Sequence, residues 1–445
     1  MAAQITAGTF ANILKDFYLG PIQEQLNQET LVTELFEKAS VDWNGRQVII
    51  PVHTGRNPAT GYRAEGVALP PAGLGVGALG GAGTVEQDYQ RLVVQAHFLY
   101  GRFQITGPAM AAAGKGGANS FVGWVDSEMN RLVTDIKVAA NRAATSGGRV
   151  IGFVTHQSAL GAGVNEVLEF DGDAVKAEAL RNGGPENVDL VRMDTYAIHG
   201  SAEVEGAAPA AAGTIELDSV AGIAAFPTDA AGGLIPMAVV ANAAGAVILG
   251  SAAEPVGIYG NLGDPTHFTV DRTTATGVAA LQCGDGAAAP TSNAHSTMVA
   301  DNTRLPLTLA HLQTALDRQT LASDTEPDCI LMNPLQRTRL AGLFQAVIQM
   351  DANRSVSKAD GGFSGFSYAG IEVKTSRHVD NGLILLLDTS TWKMTELESG
   401  KFADEDGNVL SRVGVLDAWE GFYKWYYNVV CLRPNANSII TGLTL

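Results

Sequence analysis

The segment LPPAGLGVGALGGAGT, residues 69–84, contains a G-x-G-x-x-G motif that begins at Gly75 and could cradle a dinucleotide phosphate. That chemistry needs a buried strand before the motif and a helix after it, whose amino terminus faces the pyrophosphate. Two prolines precede the motif and cannot donate to a strand ladder, while residues 84–98 have the pattern of a β-strand. Because residues 55–83 hold nine glycines, this spacing also arises readily by chance. The sequence therefore predicts a glycine-rich loop and no nucleotide site.

The other candidate catalytic motifs each lack a residue that their chemistry requires. Lys115 lies in AAAGKGG like a phosphate-binding lysine, but Gly116 follows it where Ser or Thr would contact Mg²⁺. Ser364 in GGFSGF lacks the last glycine of a nucleophile elbow, because Phe366 occupies that position. The eight histidines form no H-E-x-x-H motif. These departures predict neither nucleophilic catalysis nor a zinc site.

Two further segments have a structural interpretation that is simpler than a binding site. DEDGN, residues 404–408, spaces its acidic residues like a calcium loop, but the twelfth position is Val415 instead of glutamate. A hairpin turn at Asp406-Gly407 is predicted instead. The aromatic run WEGFYKWYY, residues 419–427, could line a ligand site, although packing on a strand face is its usual role. We therefore expect no enzyme, no cofactor and no metal centre.

Composition and charge describe an acidic globular protein. Of the 445 residues, 46% are apolar and 17% are charged, and the formal net charge is −17. The acidic excess is concentrated in residues 183–300, which hold 12 acidic and 2 basic residues. Because affinity for phosphate comes from Lys and Arg, we expect neither direct nucleic-acid recognition nor binding to anionic membranes. The length predicts roughly two or three domains.

Signals of location are weak in this sequence. The three cysteines are far apart and form no C-x-x-C motif, which is typical of a reducing compartment. No basic residue precedes Lys15, so no secretory signal peptide is predicted. Residues 230–253 are uncharged and long enough to span a bilayer, but they are interrupted by Gly and Pro and flanked by acids. A pair of buried strands is the better interpretation, and no membrane association is expected.

The first elements of the chain predict an arm and a long hairpin. Residues 1–42 have thin helical stripes, typical of a helical arm that packs on something beyond itself. Residues 45–54 and 84–106 are predicted strands, joined by a long connection rich in Gly and Pro. Loops of this length are usually functional or flexible. Because a two-stranded ribbon is marginal in isolation, we expect it to lie on a neighbouring surface.

Residues 119–148 predict a long amphipathic helix, which ends at Gly147 and Gly148. The apolar positions keep steps of three and four, so one stripe should be buried. That predicted stripe consists of Phe121, Val125, Met129, Leu132, Ile136, Ala139 and Ala143.

The second half of the chain predicts a β-rich segment and then a mixed α/β region. Residues 185–300 are rich in Ala, Gly and Thr with short apolar runs, a pattern that favours a small inserted β domain. Helices are predicted at 309–316 and in NPLQRTRLAGLFQAVIQM, where Asn333 is the cap and Pro334 lies in the first turn. GFSYAGIEVKTSRHVDNGLILLLD and FYKWYYNVVCLRPNANSIITGL are predicted strands of a closing sheet.

The order of these elements resembles the tailed-bacteriophage major capsid proteins, which have the Hong Kong 97 fold. WNGRQVIIPVHTGRNPATGYRAEG looks like the outgoing arm of that family's extended loop, and FQITGPAMAAA with the helix after it looks like the start of the spine helix. ILMNPLQRTRLAGLF is similar to the Asn-Pro-capped helix of the axial domain, and VVCLRPNANSIITGL to the last peripheral strand. The resemblance covers roughly residues 1–180 and 300–445.

The resemblance implies an α+β fold of the Hong Kong 97 type with a β-rich insertion, whose acidity favours exposure on the outer surface. Glycines in the extended loop would let it bend differently at different positions of a shell. The implied divisions are an N-terminal arm at 1–42, an extended loop hairpin at 43–106, a peripheral domain with the spine helix at 107–184, the insertion at 185–300, an axial domain at 301–400 and a return to the peripheral sheet at 401–445.

The implied function is that of a major capsid protein of a tailed double-stranded DNA phage, made in the host cytoplasm and located in the virion. Copies would close into pentamers and hexamers of an icosahedral shell, which encloses DNA without sequence-specific binding. Residues 43–114 contain no lysine, so no lysine-donated cross-link of the loop is expected. Non-covalent burial or a decoration protein must then hold the shell together. A portal is a further expected partner. Some members carry a long charged helical extension before the arm as a built-in scaffold; here either that segment has been removed or a separate scaffolding protein is used, and the start at Met1 favours the second.

Subunit contacts are predicted at the loop tip, where Tyr62, Arg63 and Glu65 could pair across subunits, and on the arm around Phe17 and Tyr18. Two alternatives stay open. A cellular encapsulating shell of the same fold would enclose a cargo enzyme. An acidic β-rich surface adhesin or an acidic hydrolase would explain the β-rich centre and the charge, but the adhesin needs an export signal and the hydrolase a convergent site.

Overall fold

The computed structural model describes residues 30–39, 42–55, 62, 64–66, 75–76, 82–83, 88–108, 111, 118–158, 166–173, 176, 187–192, 198–203, 214–217, 237–241, 254–264, 266–271, 305–347, 366–404, 410–414 and 416–444. Most of the predicted amino-terminal arm therefore lies outside the described residues. The helices are α1 (Leu31–Leu35), α2 (Ala118–Ser146), α3 (Ile258–Gly263), α4 (Leu309–Ser323) and α5 (Pro334–Val347).

Strands outnumber helices along the described chain and form three large sheets and several small ones. The strands are β1 (Glu37–Ala39), β2 (Gln47–Gly55), β3 (Gly75–Val76), β4 (Ala82–Gly83), β5 (Asp88–Gln95), β6 (His97–Thr106), β7 (Val150–Ser158), β8 (Glu166–Gly172), β9 (Asn187–Arg192), β10 (Ile198–Glu203), β11 (Thr214–Leu217), β12 (Met237–Ala241), β13 (Thr266–His267), β14 (Val270–Asp271), β15 (Leu305–Pro306), β16 (Cys329–Met332), β17 (Phe366–Tyr368), β18 (Ile371–Thr375), β19 (Ile384–Leu387), β20 (Trp392–Phe402), β21 (Ser411–Arg412), β22 (Ala418–Cys431), β23 (Ser438–Ile440) and β24 (Leu443–Thr444).

The first five-stranded sheet is built around β22. Strand β6 pairs with one edge of β22, β20 and β21 share the other edge, and β1 adds to β20 in parallel. Helix α2 covers one face of this sheet at Gly101, where an added Cβ would lie 2.3 Å from Cδ1 of Ile136. A glycine at this position lets the helix and the strand approach closely.

Helix α2 confirms the long helix that the periodicity predicted, and it ends with Gly148 at a φ of +87°. The predicted stripe is correct at Ile136 and Ala143, which are buried, but wrong at Ala139, which is exposed. Ala140 and Ala144 are also fully buried. Near its carboxyl end the helix is enclosed by several elements at once, so its buried face there is wider than one stripe.

The six-stranded sheet is antiparallel throughout, in the order β10-β9-β12-β7-β8-β11. It confirms that the Ala- and Gly-rich region contains short strands. Strands β7 and β8 precede residue 185, yet they pair with strands that follow it. The predicted division at 184/185 therefore runs through one sheet, and the domain boundaries stay a prediction.

The second five-stranded sheet, β17-β18-β16-β19-β23, is mixed, because β16 and β18 run parallel. Ile330 and Met332 pack with α4 and α5, whereas Leu331 between them belongs to the central core. Burial on both faces explains why β16 and β19 are uninterrupted apolar runs. The prediction of one closing sheet is wrong: β22 joins the first five-stranded sheet and β23 joins this one, because a turn at 434–436 redirects the chain.

The two predicted helices of this region are confirmed. Helix α4 begins after Thr308, whose hydroxyl accepts a hydrogen bond from the backbone of His311. Helix α5 begins at Pro334, and Oδ1 of Asn333 accepts a hydrogen bond from the Leu335 amide at 3.0 Å. Both caps satisfy amides that have no partner inside the helix.

The central core forms where α2, α3 and the three large sheets meet. Trp392 is fully buried in it, stacks on Phe36 at 5.1 Å between ring centroids and donates from Nε1 to Oδ1 of Asn437 at 2.8 Å. Its other members include Ala140, Ala144, Phe153, Tyr259, Leu262, Leu331, Leu385, Met394, Tyr427 and Ile439. This core fixes the frame from which the exposed elements project.

Candidate assembly surface

The ribbon, defined as β2 and β5, confirms the predicted strand at 45–54 and the first part of its predicted partner at 84–106. The rest of that partner is wrong as a ribbon strand, because β6 leaves the ribbon and pairs with β22. Its register runs from Gln47 opposite Gln95 to Gly55 opposite Asp88, and nine extended residues span about 30 Å. One face is apolar and buried near its base, whereas Ile49 on the other face is 47% exposed. An amphipathic ribbon of this length has one face suited to packing and one to solvent.

The base of the ribbon is clamped to the body of the protein. Leu92 and Val94 are fully buried against Val430 and the 266–271 hairpin. The Thr269 hydroxyl donates to the carbonyl of Arg91 at 2.8 Å and accepts from the amide of Val93 at 3.1 Å. The base is therefore rigidly oriented, and it sets the direction in which the ribbon leaves the core.

The predicted contact residues fall in different parts of the structure. Tyr62 and Glu65 are exposed, so both are accessible to another molecule. Arg63, Phe17 and Tyr18 lie outside the described residues. No described contact joins these five positions, and their role between subunits stays a prediction.

The aromatic patch, defined as Phe98, Tyr100 and Tyr426, lies next to the base of the ribbon on the open face of the first five-stranded sheet. Phe98 and Tyr100 are 43% and 58% exposed, and each meets the Tyr426 ring edge to face. The two tyrosine hydroxyls are 3.1 Å apart. This hydrogen bond, with burial, raises the pKa of Tyr426 to about 12. Tyr426 lies in the aromatic run 419–427 noted in the sequence, whereas Phe98 and Tyr100 were not predicted, although aromatic residues two apart in HFLYGRFQIT were a signal of an exposed strand face.

Paired charges surround the aromatic patch. Arg102 forms an ion pair with Glu420 and lies over the Phe422 ring at 5.6 Å. Glu398 accepts from Lys401 at 2.8 Å and contacts Lys424 at 3.3 Å, and these bonds lower its pKa. The rim thus consists of charged side chains held in ion pairs around the rings. Protein interfaces have the same arrangement of an aromatic core and a polar rim.

The described residues hold little that could react. No group of three or more His, Cys, Asp or Glu side chains among them could hold a metal ion. Cys329 and Cys431 are buried free thiols, and burial raises the pKa of Cys329 to about 12. Cys283 lies outside the described part of the chain, as do Lys115 and Ser364.

The structure describes part of the glycine motif that begins at Gly75 and part of the uncharged segment at 230–253. Gly75 and Val76 form β3, which pairs with β4. The next described element, β5, is a strand, as predicted, whereas a phosphate cradle needs a helix after the glycine motif. Residues 237–241 form β12, and the predicted turn after them lies outside the described residues. Within the described ranges, no helix is both long enough and apolar enough to cross a bilayer.

Comparison with known proteins gives matches at the level of structure alone. No protein-family model and no curated protein matches the sequence. A chain of the cyanophage A-1(L) capsid asymmetric unit matches with a TM-score of 0.53 and 9% identity, over 99% of this chain and 100% of that chain. The capsid of a native GTA particle gives a TM-score of 0.46 at 9% identity, over 98% and 99% of the two chains. The capsid of cyanophage P-SCSP1u gives 0.42 at 10%, over 97% and 93%.

The first of these likenesses is strong enough to assign the fold, because it spans both chains almost completely. It agrees with the α+β architecture described above. The chain therefore has the Hong Kong 97-type capsid fold that the order of its sequence elements predicted.

Proposed function

We propose that the chain is the major shell subunit of a tailed-phage capsid, with a structural and not an enzymatic role. The observation that carries this proposal is the likeness to a chain of the cyanophage A-1(L) capsid asymmetric unit, over 99% of this chain and 100% of that one. Because the match covers almost all of both chains, it supports the same role for the whole fold.

The contacts of residues 88–106 support assembly through copies of the same chain. This run forms one strand of the ribbon and then carries Phe98 and Tyr100 of the aromatic patch. We propose that a second copy covers the patch, and that the ribbon of one copy lies on the next. Heterologous contacts repeated by rotation close into rings. Pentamers and hexamers in an icosahedral shell are the proposed result.

The charge of the chain bears on what the shell would contain. With a net charge of −17, the subunit has little electrostatic affinity for phosphate, so double-stranded DNA would be retained by enclosure and not by binding. A scaffolding protein, a portal and a decoration protein are the proposed partners. The virion is the proposed location, after synthesis in the host cytoplasm.

Electron microscopy of the purified chain, alone and co-expressed with candidate scaffolding proteins, tests this function. Closed shells or five- and sixfold rings would support it. Dispersed monomers under both conditions would contradict it. Shells that hold a protein cargo and no DNA would favour a cellular nanocompartment instead.

The loop tip gives a second test. Arg63→Glu with Glu65→Arg should impair assembly, because charges that pair across subunits would be exchanged, while thermal unfolding of the subunit is unchanged. Lys137→Glu, on the exposed side of α2, is the control for a change of surface charge. Normal shells from the double variant would contradict the contact at this site.

A further inference from the structure

A buried lysine binds backbone carbonyls at and just after the carboxyl end of α2. Lys176 is 1% exposed, and its Nζ donates to the backbone carbonyls of Ser146, Gly148 at 2.7 Å and Val150 at 3.2 Å. Carbonyls at the end of a helix have no partner inside it and carry the negative end of the helix dipole. The three donors of one ammonium group therefore satisfy three acceptors in the turn between α2 and β7.

Three more charged side chains complete what we name the Lys176 cluster: Arg142, Asp173, Lys176 and Glu254. Arg142 pairs with Asp173 at 2.9 Å and with Glu254, and Nζ of Lys176 lies 3.9 Å from Oε2 of Glu254. Asp173 also accepts from the Ser146 hydroxyl at 2.7 Å. Two cations and two anions balance, so removal of one of them leaves a buried charge without compensation.

The cluster lies where the six-stranded sheet joins the rest of the chain. The chain passes into β7 after Gly148, leaves β8 at Asp173, and is next described after β12 at Glu254. The Asp173 amide donates to the Ile151 carbonyl at 3.0 Å, and the Gly257 amide donates to the Gly147 carbonyl at 3.2 Å. The chain therefore enters the sheet and leaves it next to the start of the β8–β9 connection, and these points are held within one small volume.

An apolar contact lies beside these crossings. Phe153 of β7 meets the Tyr259 ring of α3 edge to face at 5.6 Å, and Val150, Val191 and Val240 belong to the same buried cluster. Apolar contacts of this kind stabilise association without fixing direction. Directional bonds come from the Lys176 cluster, from the two backbone hydrogen bonds at the crossings and from Oδ2 of Asp171 in β8, which accepts from the Gly442 amide at 2.9 Å.

We propose that the Lys176 cluster is a conformational joint, which holds the six-stranded sheet at the end of α2 and whose loss releases that sheet as one cooperative unit. The proposal concerns the single subunit, so it stands or falls independently of shell assembly.

Native-state hydrogen exchange of the unmodified chain tests the cooperative unit without any substitution. Amides of β9 and β12 should exchange together, through an opening that is at least tenfold more frequent than the one that exposes β16 and β19. Exchange of all four strands through a single common opening would overturn the proposal.

Lys176→Met tests the joint itself, with Lys137→Met as the matched control on the exposed side of α2. Exchange should accelerate at least tenfold in residues 142–158, 187–192 and 237–241, and stay within twofold in β16 and β19. The control should resemble the unmodified chain. Equal acceleration of hydrogen exchange in every sheet, or no acceleration, would overturn the proposal that the cluster is a joint.

Glu254→Gln provides a second variant if Lys176→Met does not fold. The amide keeps the shape of the carboxylate and removes its charge, so the same strands should exchange at least threefold faster. An unchanged exchange pattern in this folded variant would also overturn the proposal.

Discussion

The titration of Lys176 gives a stability prediction with a definite sign. Burial lowers the pKa of Lys176 to about 8 from 10.5, although Glu254 and Asp173 oppose the effect. Between these values the unfolded chain holds the proton and the folded chain does not, so the stability contributed by this group rises with pH across that window. At about 1.4 kcal/mol for each pH unit, the difference amounts to roughly 3 kcal/mol.

The assay is denaturant unfolding of unassembled subunits at pH 7 and pH 10.5, for the unmodified chain and for Lys176→Met. The free energy of unfolding of the unmodified chain, relative to the variant, should rise by roughly 3 kcal/mol over this range. Arg142 stays charged throughout. Tyr427 also lies near Glu254, and burial raises its pKa. Its contribution to the free energy of unfolding therefore falls above pH 10 in both proteins, and it cancels in the difference between them. A difference that does not change with pH would refute the reasoning.

Substitutions at three further positions test the surfaces and the packing described above. Tyr100→Ser removes the more exposed of the two β6 rings in the aromatic patch, so it should reduce shell yield in electron microscopy. Subunit stability should change by about 1 kcal/mol or less, and Tyr100→Phe, which keeps the ring, should assemble. Thr269→Val removes the hydroxyl that bonds to two backbone groups of the ribbon. It should lower the free energy of unfolding by about 1 kcal/mol. Hydrogen exchange should become faster at the Val93 amide but not in β19. Gly257→Ala places a Cβ 2.5 Å from the Ala143 carbonyl oxygen, a backbone atom that cannot rotate away. Denaturant unfolding should therefore show a loss of about 1–3 kcal/mol in the free energy of unfolding. An unchanged denaturation midpoint would contradict the contact.

Local sequence patterns were sufficient for much of the fold. The long helix, the Asn333 cap and the strands of the ribbon follow from spacing and breakers within about twenty residues of each element. The prediction of Ala139 as buried failed, because burial near the end of α2 depends on elements that lie elsewhere in the sequence. The single closing sheet failed for a related reason, since a short turn before β23 decides which sheet that strand joins.

The candidate surface and the joint depend on pairings that local patterns do not encode. Tyr100 and Tyr426 are 326 positions apart, and β22 has to lie beside β6 before the two rings can meet. The acceptors of Lys176 are backbone carbonyls, which carry no sequence signal. Only the geometry of the helix end reveals why a lysine can be buried there.

The low identity to the matched capsid chain determines how the proposed contacts between copies of this chain have to be tested. Only 9% of residues are shared over nearly the whole length, so the common fold is maintained by burial pattern and not by particular side chains. Apolar positions tolerate such exchange when volume and patterning are kept. A contact between copies depends instead on which side chains stand at a few exposed positions. We propose the aromatic patch as such a position, and the substitutions at Tyr100 test it directly, whereas Thr269→Val tests the ribbon base within the subunit.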